Sequence, residues 1–267
     1  MSIPVVRGLC QFGCMNATEF QVKPHEVTAA QKQIYDAQGF VLLRGVLTPE
    51  QARQLHDEVM EIMGIIGLEP SKLKQTFQYR TGSALDHFVH SEAMRQIASA
   101  LTGGPSTLYL PFTAVKTSAG GGRFHFHQDN QYTRHDGPSI NLWTALTPMT
   151  VENGCLQMVA GSHLKGTYDS EFSGDGDTHH KVKWEPSDFT NVLMEPGDVV
   201  AFTRLTVHGS GPNNSSAHRV AYAIQYHRDD VRFLDGEEWK LLKANPRFTD
   251  IHGVSEITAP TGKRDGH

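Results

Sequence analysis

Two periodicities divide the chain. Up to about residue 105 apolar residues recur at helical spacing, and from about residue 107 they alternate. The stretch LTPEQARQLHDEVMEIMGIIG, Leu47 to Gly67, opens with Thr48 as N-cap, Pro49 at the first helical position and Gln51 at the capping-box position. Leu55, Val59, Ile62, Met63 and Ile66 then form one apolar stripe, which predicts a helix packed on a core. Shorter helices are expected in SEAMRQIASALTG, stopped by Gly103, and in VTAAQKQIYDAQG. Downstream, the expected strands are STLYLPFTAVK, RFHFHQD, INLWTALTPM, GCLQMVAGS, NVLMEPGDVVAFT, TVHGS and HRVAYAIQYH. Turn residues separate them: Gly120 to Gly122, Asn153-Gly154, Pro196-Gly197-Asp198 and Pro212-Asn213-Asn214. FVLLRG near residue 42 is expected to join the same sheets. The pattern predicts a mainly β sandwich or small barrel with N-terminal helices on one side. Gly166 to Asp188 is polar without alternation and reads as a long loop, either a lid or a surface insertion.

Composition narrows the class. The 267 residues are 38% hydrophobic and 20% charged, with a net charge of −5. That is ordinary globular composition, and it speaks against a nucleic-acid surface, which needs a basic stripe. Cys10, Cys14 and Cys155 are three and cannot all pair within one chain, so no disulfide framework is implied. With no basic-plus-apolar leader and no apolar run of about 20 residues, a cytoplasmic protein with no membrane partner is expected. Cys10 and Cys14 read as free thiols in an N-terminal arm.

The chemistry concentrates in GRFHFHQDNQYT, Gly122 to Thr133. On a strand, His125, His127 and Asp129 alternate and share one face. Two imidazoles and a carboxylate on one face suit a non-haem Fe(II) oxygenase, because three coordination positions stay open. An H-x-D pair alone is weak evidence, since a single histidine is more often a buried, hydrogen-bonded side chain. A third ligand must come from His163, His179, His180, His208, His218 or His227. His208 is favoured: VHGSGPNNSSAHRVAYA reads as a hairpin centred between Asn213 and Asn214. That register sets His208 opposite Arg219 and Ser210 opposite Ala217. An inward arginine needs an anion, and a guanidinium grips a carboxylate with two hydrogen bonds. The alternative is a buried ion pair between Arg219 and an acidic side chain.

The blocks FHQD, INLWTAL, ENGCLQMVAGSH, EPGDVVAF and His208-Gly209-Ser210, with Arg219 eleven residues on, occur in that order. The chain resembles, from about Gly39 to His227, the phytanoyl-CoA dioxygenase family of Fe(II)- and 2-oxoglutarate-dependent oxygenases. The resemblance implies a double-stranded β-helix, or jelly roll, in one domain over residues 1–267: a helical segment over residues 1–105, a core of about 106–230 and a C-terminal extension over 231–267. It assigns His127, Asp129 and His208 to iron, and Arg219 with Ser210 to the far carboxylate of 2-oxoglutarate. Trp143 is placed near the cosubstrate, and His125 matches no ligand. Halogenating relatives replace the carboxylate ligand by a small residue, so Asp129 implies oxygenation.

The expected activity is hydroxylation of a small metabolite by O2, with succinate and CO2 as co-products. Gln78, Arg80, Lys116, Tyr132 and Arg134 are candidate substrate contacts. Three other readings stand beside it: a cupin-like iron oxygenase without 2-oxoglutarate, a non-catalytic jelly-roll binding module and, more weakly, a zinc hydrolase.

Overall fold

The computed structural model describes residues 20–68, 73–118, 120, 122–174, 177–244 and 253–259; Cys10 and Cys14 lie outside them. In chain order the elements begin with α1 (Ala29–Gln38), β1 (Phe40–Leu43), α2 (Pro49–Ile66), β2 (Leu73–Lys74), α3 (Ala84–Val89) and α4 (Glu92–Thr102). The strands β3 (Ser106–Lys116), β4 (Phe124–His127), β5 (Ser139–Ala145), β6 (Leu156–Met158), β7 (Ser170–Gly174) and β8 (Asp177–Val182) follow. Then come β9 (Thr190–Val192), β10 (Val199–Thr203), β11 (His208–Ser210), β12 (Arg219–Arg228), β13 (Arg232–Asp235) and β14 (Glu238–Leu241).

Helix α2 starts where its polar residues direct. The Thr48 hydroxyl accepts from the Gln51 amide, and the Gln51 side chain accepts from the Thr48 amide. Its stripe of Leu55, Val59, Ile62, Met63 and Ile66 is buried as the spacing requires. Each such side chain contributes roughly 1.5–3 kcal/mol through burial. Helix α3 was not apparent from the sequence. It has six residues behind the N-cap Ser83, too few for a 3.6-residue period to register.

Two antiparallel sheets face each other. The larger has the order β1-β10-β5-β12-β3-β2 and the smaller β4-β11-β6-β9. The outer face of the large sheet, including Val115, Leu142, Val220, Tyr222 and Ile224, packs with α2, α3 and α4 in one core. Its inner face, including Ala114, Trp143, Phe202, Ala221 and Ala223, packs toward Leu156 and Met158 of the small sheet in a second. Burial on both faces is why β5 and β12 read as nearly unbroken apolar runs. This is the mainly β jelly roll with helices on one side.

Three local expectations change. NVLMEPGDVVAFT is two strands: a turn in which Asp198 Oδ2 accepts from the Glu195 amide carries the chain from β9 in the small sheet to β10 in the large one. The hairpin placing His208 opposite Arg219 does not form. His208 pairs with His127 and Met158, and Arg219 with Lys116, because the chain changes sheets between β11 and β12. Asn213 shapes that crossing by donating to the Ala217 and Lys116 carbonyls. Finally, 166–188 contains the hairpin β7–β8, not an irregular loop. Its residues are mostly polar, Phe172 and Val182 being the exceptions, so hydrophobic alternation gave no signal.

Candidate metal and cosubstrate site

The facing histidines come from paired strands, β4 and β11. Their register slips: His208 pairs with His127 but Ser210 with Phe124, three residues against two. This bulge turns Phe124 inward beside His127, with ring centroids 4.7 Å apart, and leaves His125 out of the cavity lining. The alternation that put His125 on the ligand face is thus broken within β4. Gly209 lies at the slip. A Cβ there would sit 3.0 Å from the Phe124 carbonyl oxygen and 3.1 Å from the Phe126 nitrogen.

Both imidazoles are oriented through their second nitrogen. His127 Nδ1 lies 2.8 Å from the His125 carbonyl oxygen, and His208 Nδ1 lies 3.0 Å from that of Thr206. A carbonyl only accepts, so each Nδ1 carries a proton, and Nε2 is the ring atom turned toward Asp129 and available to a metal. Burial, then the neighbouring His127, push His208 down to about 4, which keeps it neutral at pH 7.

Asp129 is not on the strand; it opens a turn of 3-10 helix after Gln128. Its Oδ1 lies 3.7 Å from His127 Nε2 and 3.8 Å from His208 Nε2. Its Oδ2 accepts from Gln225 Nε2 at 3.1 Å and Asn141 Nδ2 at 3.4 Å, both from the opposite sheet. Arg204 fixes the Gln225 amide by donating to its Oε1 at 2.6 Å, and it donates to the Asp129 carbonyl at 2.7 Å. Burial alone would raise the Asp129 carboxyl; the imidazoles and Arg204 outweigh it and hold it well below the usual range. The three ligand atoms lie within 4.8 Å of one another, a cluster that could hold a metal ion. Two imidazole Nε2 atoms and one carboxylate oxygen, with the cavity beyond, fit Fe(II).

That cavity, about 580 Å³, lies between the sheets and reaches Arg219 and Trp143. Arg219 is almost wholly buried, 1% exposed, yet has no acidic partner among the described residues. One Nη donates to the Gly154 carbonyl, the guanidinium stacks 5.2 Å over Trp143, and Nε has no partner. An unpaired buried cation with a spare donor is what a carboxylate ligand requires. Ser210 lines the same cavity and accepts from Lys116 Nζ at 2.7 Å, while that ammonium also reaches the Gly211 carbonyl. Burial, then Arg219, push Lys116 down to about 6.

The proposed substrate contacts separate. Tyr132 lines the cavity. Gln78 does not: its amide exchanges hydrogen bonds with the backbone of Thr258. Arg80 pairs with Glu61, Arg134 is exposed, and Lys116 is spent on Ser210 and Gly211. The sequence positions of Gln78, Arg80 and Arg134 flank the site while their side chains lie outside its lining, and Lys116 reaches the cavity only through Ser210. Leu73, Gln75 and Phe77 line it instead, alternate residues of an extended segment at the sheet edge. Sequence reasoning also missed Arg204, Asn141 and Gln225, and His179, weighed there as a third ligand, lines the cavity outside the ligand cluster. Parity could have found two of them, since Gln225 follows Arg219 by six and Asn141 precedes Trp143 by two on their strands.

The family model described as phytanoyl-CoA dioxygenase (PhyH) matches residues 35–221. The chain belongs to the phytanoyl-CoA dioxygenase family. It is an enzyme of the non-haem iron, 2-oxoglutarate-dependent oxygenase class, whose cofactors are Fe(II), 2-oxoglutarate and O2. A dioxygenase of Epichloe uncinata, lolE1, is 26% identical over 228 residues, 77% of this chain and 85% of the relative. The peroxisomal phytanoyl-CoA dioxygenase of Mus musculus is 25% identical over 268 residues, covering 86% and 78% of the two chains. Among solved structures, EvdO2 of Micromonospora carbonacea complexed with 2-oxoglutarate superposes with a TM-score of 0.69. It is 18% identical, and the match covers 83% of this chain and 98% of that one. The carbocyclase SnoK from nogalamycin biosynthesis gives 0.65 at 23% identity, covering 79% and 89%. At that identity both show the fold. No helix among the described residues is long and apolar enough to cross a membrane.

Proposed function

We propose that this chain hydroxylates a small-molecule metabolite in the cytoplasm, within one domain, at a centre built from His127, Asp129 and His208. One observation carries the reading. The three ligand atoms converge on the cavity that also receives Arg219, a buried cation whose Nε has no partner. Fe(II) bound there would couple oxidative decarboxylation of 2-oxoglutarate, to succinate and CO2, to oxidation of a substrate C–H bond.

The chain's own residues have separate tasks. His127 and His208 present Nε2 because backbone carbonyls hold a proton on the other nitrogen. Gln225 and Asn141 occupy Oδ2 of Asp129 and leave Oδ1 for the metal. Arg219 and Ser210 take the far carboxylate of 2-oxoglutarate, with Trp143 stacked against the guanidinium. A cupin-like enzyme without the cosubstrate would have no use for an unpaired arginine here.

The test is spectroscopic. Anaerobic protein with Fe(II) and 2-oxoglutarate should show a weak visible charge-transfer band. Asp129→Ala should abolish it, and Arg219→Ala should raise the 2-oxoglutarate Kd by about 10- to 100-fold, as for a lost charged hydrogen bond. Unchanged affinity in Arg219→Ala would remove the cosubstrate assignment.

A further inference from the structure

The ionisable groups lining the cavity are nearly all committed. Asp129, His127 and His208 converge on one point. Arg219 stands at the cosubstrate end. Arg204, though it lines the cavity, donates to the Asp129 and Thr133 carbonyls and to Gln225, and stacks 5.1 Å over Tyr109. The remaining wall is apolar. Strand β3 turns Leu110, Phe112 and Ala114 to one face, and register sets them opposite Gln225, Ala223 and Ala221. Leu73 and Phe77 continue the wall across the edge, and Phe124 and Tyr132 close it on the side of the small sheet. Among the described lining residues, tyrosine hydroxyls aside, only His179 adds an ionisable group. A substrate phosphate or carboxylate entering this wall would lose its water and, among the described lining residues, would meet no lysine or arginine left uncommitted, only the His179 imidazole.

On the edge next to β2 an uncommitted amide interrupts the wall. Gln75, half-buried between Leu73 and Phe77, lines the cavity with no side-chain partner among the described residues. An amide there can give one hydrogen bond to a substrate oxygen.

From these features, and resting on the oxygenase reading above, we propose that the substrate is an uncharged, mostly apolar ring compound. Aromatic side chains grip it, and the Gln75 amide orients it through a single carbonyl or hydroxyl. The volume suits this, since drug-sized ligands occupy about 300–1,000 Å³. Phe112 selects by shape and Gln75 by polarity. An acyl-CoA thioester, with its phosphates, is the wrong class.

The experiment uses the anaerobic Fe(II)–2-oxoglutarate enzyme and reads Kd by calorimetry, together with the shift of the visible band. The probes are a neutral keto-steroid, its hydrocarbon analogue lacking the ketone, and palmitoyl-CoA. The keto-steroid should bind in the micromolar range, and palmitoyl-CoA at least about tenfold more weakly. Phe112→Trp, which fills the wall, should weaken the steroid about tenfold while leaving 2-oxoglutarate affinity unchanged. Leu73→Trp gives the same reading should that variant fail to fold. Gln75→Leu should weaken the keto-steroid only, bringing it level with its analogue. Tighter binding of palmitoyl-CoA, no binding of either steroid, or steroid affinity unchanged in both tryptophan variants would overturn the proposal. If wild-type protein fails to bind 2-oxoglutarate, the oxygenase reading fails instead, and steroid titration of the metal-free protein still decides the substrate class.

Discussion

Single side chains set this site through chains of partners. Arg204 reaches Asp129 twice, directly at its carbonyl and through Gln225 at its carboxylate. Arg204→Met should leave the three ligands in place yet loosen Asp129, weakening Fe(II) about 10- to 100-fold, as loss of outer-shell partners does. Metal titration checks this, and unchanged affinity would deny Arg204 a positioning role. At the other end Lys116, pushed down to about 6, is neutral at pH 7.5. On the proposed placement a dicarboxylate beside Ser210 favours its ammonium, so cosubstrate binding should take up a proton. Calorimetry in two buffers of different ionisation enthalpy measures that uptake, and Lys116→Met should abolish it. Of these residues, His127, Asp129, His208 and Arg219 were legible because their spacing resembles the family's. Arg204 and the edge segment around Gln75 were not. Their roles depend on which strands lie side by side, and a local pattern carries no such information.

At the level of elements, boundaries followed local chemistry. Strand β3 covers the stretch its alternation predicts, and α2 begins at its capping box. Thr48→Ala should cost about 1 kcal/mol in urea denaturation and leave 2-oxoglutarate affinity unchanged. The bulge between β4 and β11 was invisible in the sequence, because which residues pair across two strands leaves no mark in the local pattern of either. It makes Gly209 a structural requirement. Gly209→Ala should push β4 away from β11 and weaken Fe(II) binding, with the far-ultraviolet circular dichroism retained. Full metal affinity in that variant would show that the bulge tolerates a side chain. The β7–β8 hairpin was missed for the opposite reason: it carries almost no apolar residues to alternate.

Across the whole molecule, the site is divided between two sheets. The histidines belong to the small sheet and Arg219 to the large one, while Asp129 leaves the small sheet and is held by Gln225 and Asn141 of the large. The layered architecture was legible from strand count and turn spacing, but the assignment of strands to layers was not. Metal and diacid together would therefore rivet one layer to the other. Fe(II) or 2-oxoglutarate alone should raise Tm modestly, and the pair by more than the sum. Scanning calorimetry with a redox-inert metal in place of iron would read this, and strictly additive shifts would deny the coupling. A cell short of iron or of the diacid would then hold this protein with its layers unfastened. Its lifetime against proteases, as well as its turnover, would track the supply of both.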